Sequence, residues 1–288
     1  MCIMVRLLTV IGHGTELIEH HIHHYSEYVD EIQYVIYETD LYQTLTKDVN
    51  EIIKSYDNVK IVKTIKERIF DWEKVTELYN EIKLTKPNDW WVIADIDEFH
   101  LYPENNLNLL ISDCEKNGWD IVRGGFIDRI GRGGEFVQLT NDKSIWEQFP
   151  NAGFFRYPMS NACPNKICVI MGYVEITAGQ HYAKINGHVT WGWQGWNHPL
   201  IAPITTHSVQ VHHFKWDSTS IDRILNVAKI NEDYAFSSEY FKMYTELKKT
   251  NFIVDLMNPE FMFELGLINP KHVCYGKWNK LMNKIASI

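Results

Sequence analysis

The chain has 288 residues, of which 45% are hydrophobic and 13% aromatic, so it can bury one large domain or a domain with an extension. Its formal net charge of −9 argues against a nucleic-acid partner, because binding a phosphate backbone rests on a basic surface. A nucleotide ligand stays open, since a bound metal can supply the local positive charge.

In chain order, Leu7–Ile11 is a short apolar strand closed by Gly12-His13-Gly14. Met1–Ile11 has one arginine and no small-residue cleavage site, so it reads as that strand and not as a signal peptide. Ile18, Ile22, Tyr25 and Val29 then fall on one helical stripe between Thr15 and Val29. Tyr34–Tyr37 is a second strand, ending in Glu38-Thr39-Asp40, and a polar helix covers Tyr42 to Tyr56. Val59–Val62 is a third strand, and a helix from Asp71 carries Trp72, Val75, Tyr79 and Ile82 on its inner stripe. The run Trp90 to Phe99 follows, then a helix from about Asn105 to Asn117 and a strand over Asp120–Phe126. This alternation predicts a parallel α/β sheet with right-handed crossovers.

After Phe126 the pattern changes. Gly131-Arg132-Gly133-Gly134 reads as a flexible loop, and Pro150 to Pro164 is aromatic without clear periodicity. Lys166–Val174 and Ser208–Phe214 are strand-like, and helical spacing returns from Ser220. No apolar run reaches the length of a membrane span. The five cysteines (Cys2, Cys114, Cys163, Cys168, Cys274) are odd in number and scattered, which predicts free thiols in a reducing compartment and a cytoplasmic protein. Cys163 and Cys168 lack the second pair that a zinc site needs.

The chemistry concentrates at Trp90-Trp91-Val92-Ile93-Ala94-Asp95-Ile96-Asp97-Glu98-Phe99. An apolar run without polar alternation reads as a strand buried on both faces, and along it Asp95 and Asp97 would point the same way. Parallel sheets bind ligands beyond the carboxyl ends of their strands. Two carboxylates there suit Mn²⁺ or Mg²⁺ bridging the diphosphate of a nucleotide-sugar. In a second reading the first Asp is the nucleophile of an Asp-x-Asp phosphatase. That signature normally sits on the first strand and continues with Thr or Val. Here it sits on the fourth strand and continues with Glu98-Phe99.

Asp89-Trp90 through Asp95-Ile96-Asp97-Glu98-Phe99 resembles the metal-binding motif of family 2-like glycosyltransferases of the GT-A fold, including bacterial and large-DNA-virus members. Asp128-Arg129, Ser144-Ile145-x-x-Gln148-Phe149-Pro150 and Val211-His212-His213-Phe214-Lys215-Trp216 extend the resemblance over about residues 5 to 225. It implies a GT-A-like, Rossmann-like α/β domain at 1–217, its mostly parallel central sheet flanked by helices. The last sixty or so residues match no part of the family pattern, and it is the helical spacing from Ser220 on that predicts a helical C-terminal extension at 218–288. The resemblance also implies sugar transfer from a UDP- or GDP-linked donor to a glycan or glycoprotein hydroxyl, with inversion, in the cytoplasm (the host's, for a viral protein). A non-catalytic carbohydrate-binding protein is the alternative from another class.

The same resemblance implies residue roles. Asp97 would bind the metal, Asp95 the metal or the ribose, and His213 would complete the metal shell, with Lys215 toward the diphosphate. Glu38 or Asp40 would meet the nucleobase or ribose, although a solvated acidic turn explains them equally well. Asn80, and less so Lys74, could face the nucleotide or be ordinary exposed helical residues. His13 could approach a ligand or simply occupy a turn. Asp128 is the first candidate for the base that deprotonates the acceptor, with Glu98 second, and an Asp128–Arg129 salt bridge is the bland alternative. Arg129 or Lys166 could help neutralise the diphosphate. Trp191, Trp193 and Trp196, with His188 and His198, suggest a sugar subsite or a satellite aromatic core. His20, His21, His23 and His24 form no His-Glu-x-x-His zinc motif, and the helical stripe leaves most of them on the solvated side.

Overall fold

The structure, a computed structural model, describes residues 4–153, 155, 163, 165–190, 198–230 and 236–257. Its first half alternates β1 (Val5–Ile11), α1 (Ile18–Tyr25), β2 (Glu31–Glu38), α2 (Leu45–Ile53), β3 (Val59–Lys66), α3 (Trp72–Leu84) and β4 (Trp90–Ile93). Then come β5 (Glu98–Leu101), α4 (Leu107–Asn117), β6 (Ile121–Ile130), α5 (Ile145–Gln148), β7 (Asn151–Gly153) and β8 (Asn165–Met171). The small strands β9 (Glu175–Ile176), β10 (Ala183–Ile185) and β11 (His188–Val189) pair antiparallel. α6 (Ile204–His207), β12 (Val209–His213), α7 (Thr219–Lys229) and α8 (Ser237–Lys249) complete the described chain.

The main sheet has the order β3-β2-β1-β4-β8-β6-β12-β5, with β7 on β6. β1 to β4, β6 and β12 run one way, while β5, β7 and β8 run the other. The fold is therefore α/β, with a mixed, mostly parallel central sheet flanked by helices. The expected parallel sheet is mixed: β8 inserts antiparallel between β4 and β6, and β5 and β7 also run antiparallel to their neighbours.

β4 explains its own composition. Trp90 and Val92 pack into the core on one face, and Trp91 and Ile93 into the core on the other. A strand covered on both faces has no solvent side on which to place polar residues. The strand expected to run on to Phe99 stops at Ile93, however. Ala94–Asp97 turns, with Glu98 N donating to Asp95 O (3.0 Å), and the chain resumes as β5 against β12. Four strand spacings laid flat would cover about 19 Å, more than the five residue steps from Ile93 to Glu98 can reach, roughly 17 Å. The sheet must curl here, and the curl brings the two halves of the site together.

The expected helical stripe is present: Ile18, Ile22, Tyr25 and Val29 are all buried. Asp71 caps α3 by accepting from Glu73 N (2.8 Å) and Lys74 N (3.2 Å). In the histidine cluster His23 is exposed and His20 and His24 are half-buried, and one member, His21, departs from the expected solvated side. His21 is fully buried and its Nδ1 meets Tyr34 OH at 3.0 Å, while His24 packs on Tyr25, Phe99 and Trp146. α1 is short and lies deep against the sheet edge, so its apolar stripe is wider than the periodicity suggests. Cys114 and Cys168 are buried free thiols and Cys163 is half-buried; Cys2 and Cys274 lie outside the described residues.

α7 and α8 close over Ile130, Phe155 and Trp216 through Ile224, Met243, Leu247 and Val254. The chain passing Val254 is tied to Gly134, whose carbonyl accepts from Val254 N at 2.9 Å. Gly134 has φ +84°, and a Cβ there would stand 1.9 Å from Val254 O. Gly134→Ala is therefore expected to destabilise the protein by about 2 kcal/mol or more, read as a lower urea midpoint; an unchanged midpoint would show that this contact does not form. The rest of the expected extension, 258–288, and Trp191, Trp193 and Trp196 lie outside the described residues.

Candidate active site

The carboxyl ends of β1, β4, β6 and β12 surround a cavity of about 450 Å³. A second cavity of about 510 Å³ opens beside it at the ends of β1, β2 and β3. This is where a mostly parallel sheet presents a ligand site. Strand register assembles the first cavity, because His213 on β12 lies level with Asp128 on β6 and with Glu98 on β5.

Two groups of charges result. In the first, Lys166 is 2% exposed and pairs with Glu98 (2.8 Å) and Asp95 (3.3 Å), and donates to Gln180 Oε1 (2.5 Å) and Gly179 O (3.0 Å). Burial opposes its charge, but Asp95 and Glu98 hold its pKa above the usual lysine value. Asp95 also accepts from Tyr79 OH (3.0 Å) and Gln180 Nε2 (3.4 Å). Burial pushes Glu98 up to about 7 against the opposing pull of Lys166.

In the second group, His213 Nδ1 meets Asp128 Oδ1 at 2.9 Å and its Nε2 faces Asp97 Oδ2 at 3.5 Å. Burial lowers the imidazole pKa, but Asp97 and Asp128 outweigh it and raise it to about 9. Asp97 is fixed through its carbonyl, which accepts from Phe214 N at 2.7 Å. Burial works against its charge, yet His213 and Arg223 keep its carboxyl well below the usual range. Asp128 receives two further donors, Trp216 Nε1 (3.0 Å) and Phe155 N (3.0 Å).

The structure thus gathers Asp95, Asp97, Glu98, Asp128, Lys166, His213 and Lys215 around one cavity, and places Asp40 on the wall of the neighbouring one. Four of the expected residues stand elsewhere. Glu38 is buried, pairing with Lys66 (2.6 Å) and accepting from Thr46 N (2.9 Å), so it anchors α2 to the sheet edge. Asn80 spends both amide atoms on the backbone of Ile176, which pins β9 to α3. Arg129 follows Asp128 on β6, so strand alternation sends it away from the cavity and over Trp146 (5.4 Å) and Phe214 (5.9 Å). Lys74 is exposed and pairs with Glu77. Sequence reasoning missed Arg223, Gln180 and Tyr240. Arg223 reaches the cavity only because α7 folds back over it, and no local motif signals that return.

The pair Asp97 Oδ2 and His213 Nε2 fits a divalent ion. Metal–oxygen and metal–nitrogen bonds of about 2.0–2.2 Å place neighbouring ligands roughly 3.0–3.5 Å apart, and this pair stands 3.5 Å apart. Asp128 holds the other ring nitrogen, the arrangement that orients a metal-binding imidazole. Among the described residues no group of three or more His, Cys, Asp or Glu donors converges on one point. A bound ion would therefore draw its remaining ligands from outside the described residues. Among the described residues, no helix is long and apolar enough to cross a membrane.

No family model and no curated protein matches the chain. It is similar to a number of solved structures, among them these three. One is a mannosyltransferase from Pyrobaculum calidifontis in complex with GDP-Man and Mn²⁺ (10% identity, TM-score 0.36, 83% of this chain and 68% of that one). Another is GalNAc-T7 with UDP, GalNAc and Mn²⁺ (11%, 0.38, 86% and 55%). The third is 4-diphosphocytidyl-2C-methyl-D-erythritol synthase (12%, 0.32, 59% and 75%). This chain thus spans little more than half the length of GalNAc-T7. Likeness at this level shows neither a substrate nor a reaction.

Proposed function

We propose that the chain is a metal-dependent, GT-A-like glycosyltransferase that moves a sugar from a nucleoside-diphosphate donor to a hydroxyl of a glycan or glycoprotein, with inversion. The observation that carries this reading is the Asp97–His213 donor pair at the carboxyl ends of the strands, beside Lys215 and Arg223, in a cavity that opens into a second one. Asp97 and His213 would hold Mn²⁺ or Mg²⁺. When bound, the ion supplies Lewis-acid stabilisation of the departing diphosphate. Asp95, kept in place by Tyr79, Lys166 and Gln180, would meet the ribose, and Lys215 would face the phosphates.

Asp128 fits the base role less well than its strand-end position suggested. Its carboxylate already accepts from His213, Trp216 and Phe155, which suits it to orient His213. Glu98, the second sequence candidate, lines the cavity too but takes Lys166 (2.8 Å) and Asp95 N (3.3 Å), so Glu239 on α8 joins it as a carboxyl on the wall for proton removal. The three donors on Asp95 also count against a phosphatase nucleophile, which needs a free oxygen aimed at phosphorus.

A thermal-shift panel of UDP- and GDP-sugars, with and without Mn²⁺, tests the reading. A donor at 100 times its Kd should stabilise the protein by about 2.7 kcal/mol, and only with metal. Sugar binding that ignores metal would favour the carbohydrate-binding alternative. Phosphate release without sugar transfer would favour the phosphatase.

A further inference from the structure

The two cavities meet along a shared wall formed by Gly12, His13, Phe70, Trp72, Phe236 and Tyr240, together with Arg223. On the reading above, a donor with its nucleoside at the ends of β1 to β3 and its sugar beside Asp97 must lay its phosphates across this junction. Arg223 is the permanent cation at the crossing, and it comes from α7, in the segment expected to form an extension.

Its surroundings leave an anion wanting. The side chain is 14% exposed. One terminal nitrogen lies 3.0 and 2.7 Å from the ring nitrogens of His13, and the other lies 3.4 Å from Lys215 O and 3.2 Å from Ser220 Oγ. Among the described residues, its ion-pair partner is Asp97 Oδ2 at 3.9 Å, beyond hydrogen-bond reach, and its Nε has no partner. Withdrawing a guanidinium from water among neutral acceptors is costly unless an anion arrives to meet it. Its planar fork matches phosphate oxygens two at a time.

We infer that Arg223 clamps the donor's diphosphate where the two cavities join, and so makes the site prefer nucleoside diphosphates to monophosphates. Asp97 and His213 take the metal side of the same group, and Arg223 meets the oxygens on the nucleoside side. The inference rests on the glycosyltransferase reading.

Titration calorimetry in Mn²⁺ with UDP, GDP, UMP and GMP, on wild type, R223Q and R223K, tests it. Wild type should bind one diphosphate more tightly than its monophosphate. R223Q should weaken that diphosphate roughly 10- to 100-fold and the monophosphate less than about threefold. R223K should fall between, because lysine keeps the charge and loses the fork. Unchanged diphosphate affinity in R223Q, or equal losses for both ligands, overturns the assignment and leaves the glycosyltransferase reading standing. If R223Q does not fold, R223K decides by the same ratio, and an unchanged ratio overturns the assignment. Failure of wild type to bind either diphosphate would overturn the reading and the clamp together.

Discussion

Asp97→Ala is expected to abolish Mn²⁺-dependent turnover of a nucleotide-sugar while leaving the fold in place. The residue belongs to a turn held by its backbone, since Phe214 N donates to its carbonyl whatever the side chain. Its carboxylate is the partner of His213 Nε2 and the nearest anion to Arg223. Removing it halves the protein's donor pair, and the loss should reach at least about 10³-fold in kcat/KM, or ~4 kcal/mol of transition-state stabilisation. Mn²⁺ titration followed by electron paramagnetic resonance should show the same loss without any substrate. Asp128→Asn gives the contrast. It leaves both ligands present but removes the orienting charge, so Mn²⁺ affinity should fall about 10- to 100-fold. Wild-type turnover by the Asp97 variant would sink the metal assignment.

The second large effect is on stability in acid. His21, His24 and His100 surround Tyr25 and Phe99. Burial lowers His21 to about 3 and His24 to about 4, and holds His100 well below the ordinary value. Below pH 6.5 the unfolded chain takes up a proton at each, and the folded chain does not until the pH is far lower. Stability that is complete above pH 6.5 is therefore lost as pH falls, by about 1.4 kcal/mol per unit per histidine, or about 4 for the three. By pH 5 the three histidines would remove about 6 kcal/mol, comparable to the lower end of the roughly 5–15 kcal/mol that domains hold in all, so the urea midpoint is expected to fall steeply below pH 6.5.

The other shifted groups give little relief. His213, raised to about 9 by Asp97 and Asp128 against the effect of burial, contributes stability that is full below 6.5 and lost as pH rises through 9. Below 6.5 it is protonated in both states and changes nothing. Glu98, raised by burial to about 7, favours the fold as pH falls from 7 to 4.5, but it is one group against these three and against His13, His181 and His212, which burial also lowers. Urea midpoints at pH 8, 6.5 and 5.5 check the slope, which His100→Leu should reduce by one proton. Equal midpoints across that range would show that these rings are not held neutral.

Much of this protein was legible in its residues. Unbroken apolarity in Trp90–Ile93 meant a strand covered on both faces, and it is one. The spacing of Ile18, Ile22, Tyr25 and Val29 gave the buried stripe of α1, and the acids after β4 marked the cavity that Asp95, Asp97 and Glu98 line. These are local facts: side-chain period reports which face is apolar, and a polar residue breaking an apolar run reports where the core ends.

What stayed hidden depends on partners far away in the chain. Nothing near Ile93 says that the strand stops and that Glu98 begins another one, because that break exists only once β12 offers β5 an edge. The insertion of β8 beside β4, the turning of Arg129 into an aromatic stack, and the spending of Asn80 on Ile176 follow from the same kind of distant pairing. The helical stripe of α1 leaves most of its four histidines on the solvated side, yet the neutral ring of His21, hydrogen-bonded to buried Tyr34, enters the core at small cost. Arg223 is the extreme case, 126 positions beyond Asp97 in a numbering that runs 97 to 223. Residue type alone established that this chain could offer carboxylates, an imidazole and cations to a phosphate ligand. Only the tertiary structure decided which of them face one another, because electrostatic and hydrogen-bonding partners are chosen by distance in space and not by distance in sequence.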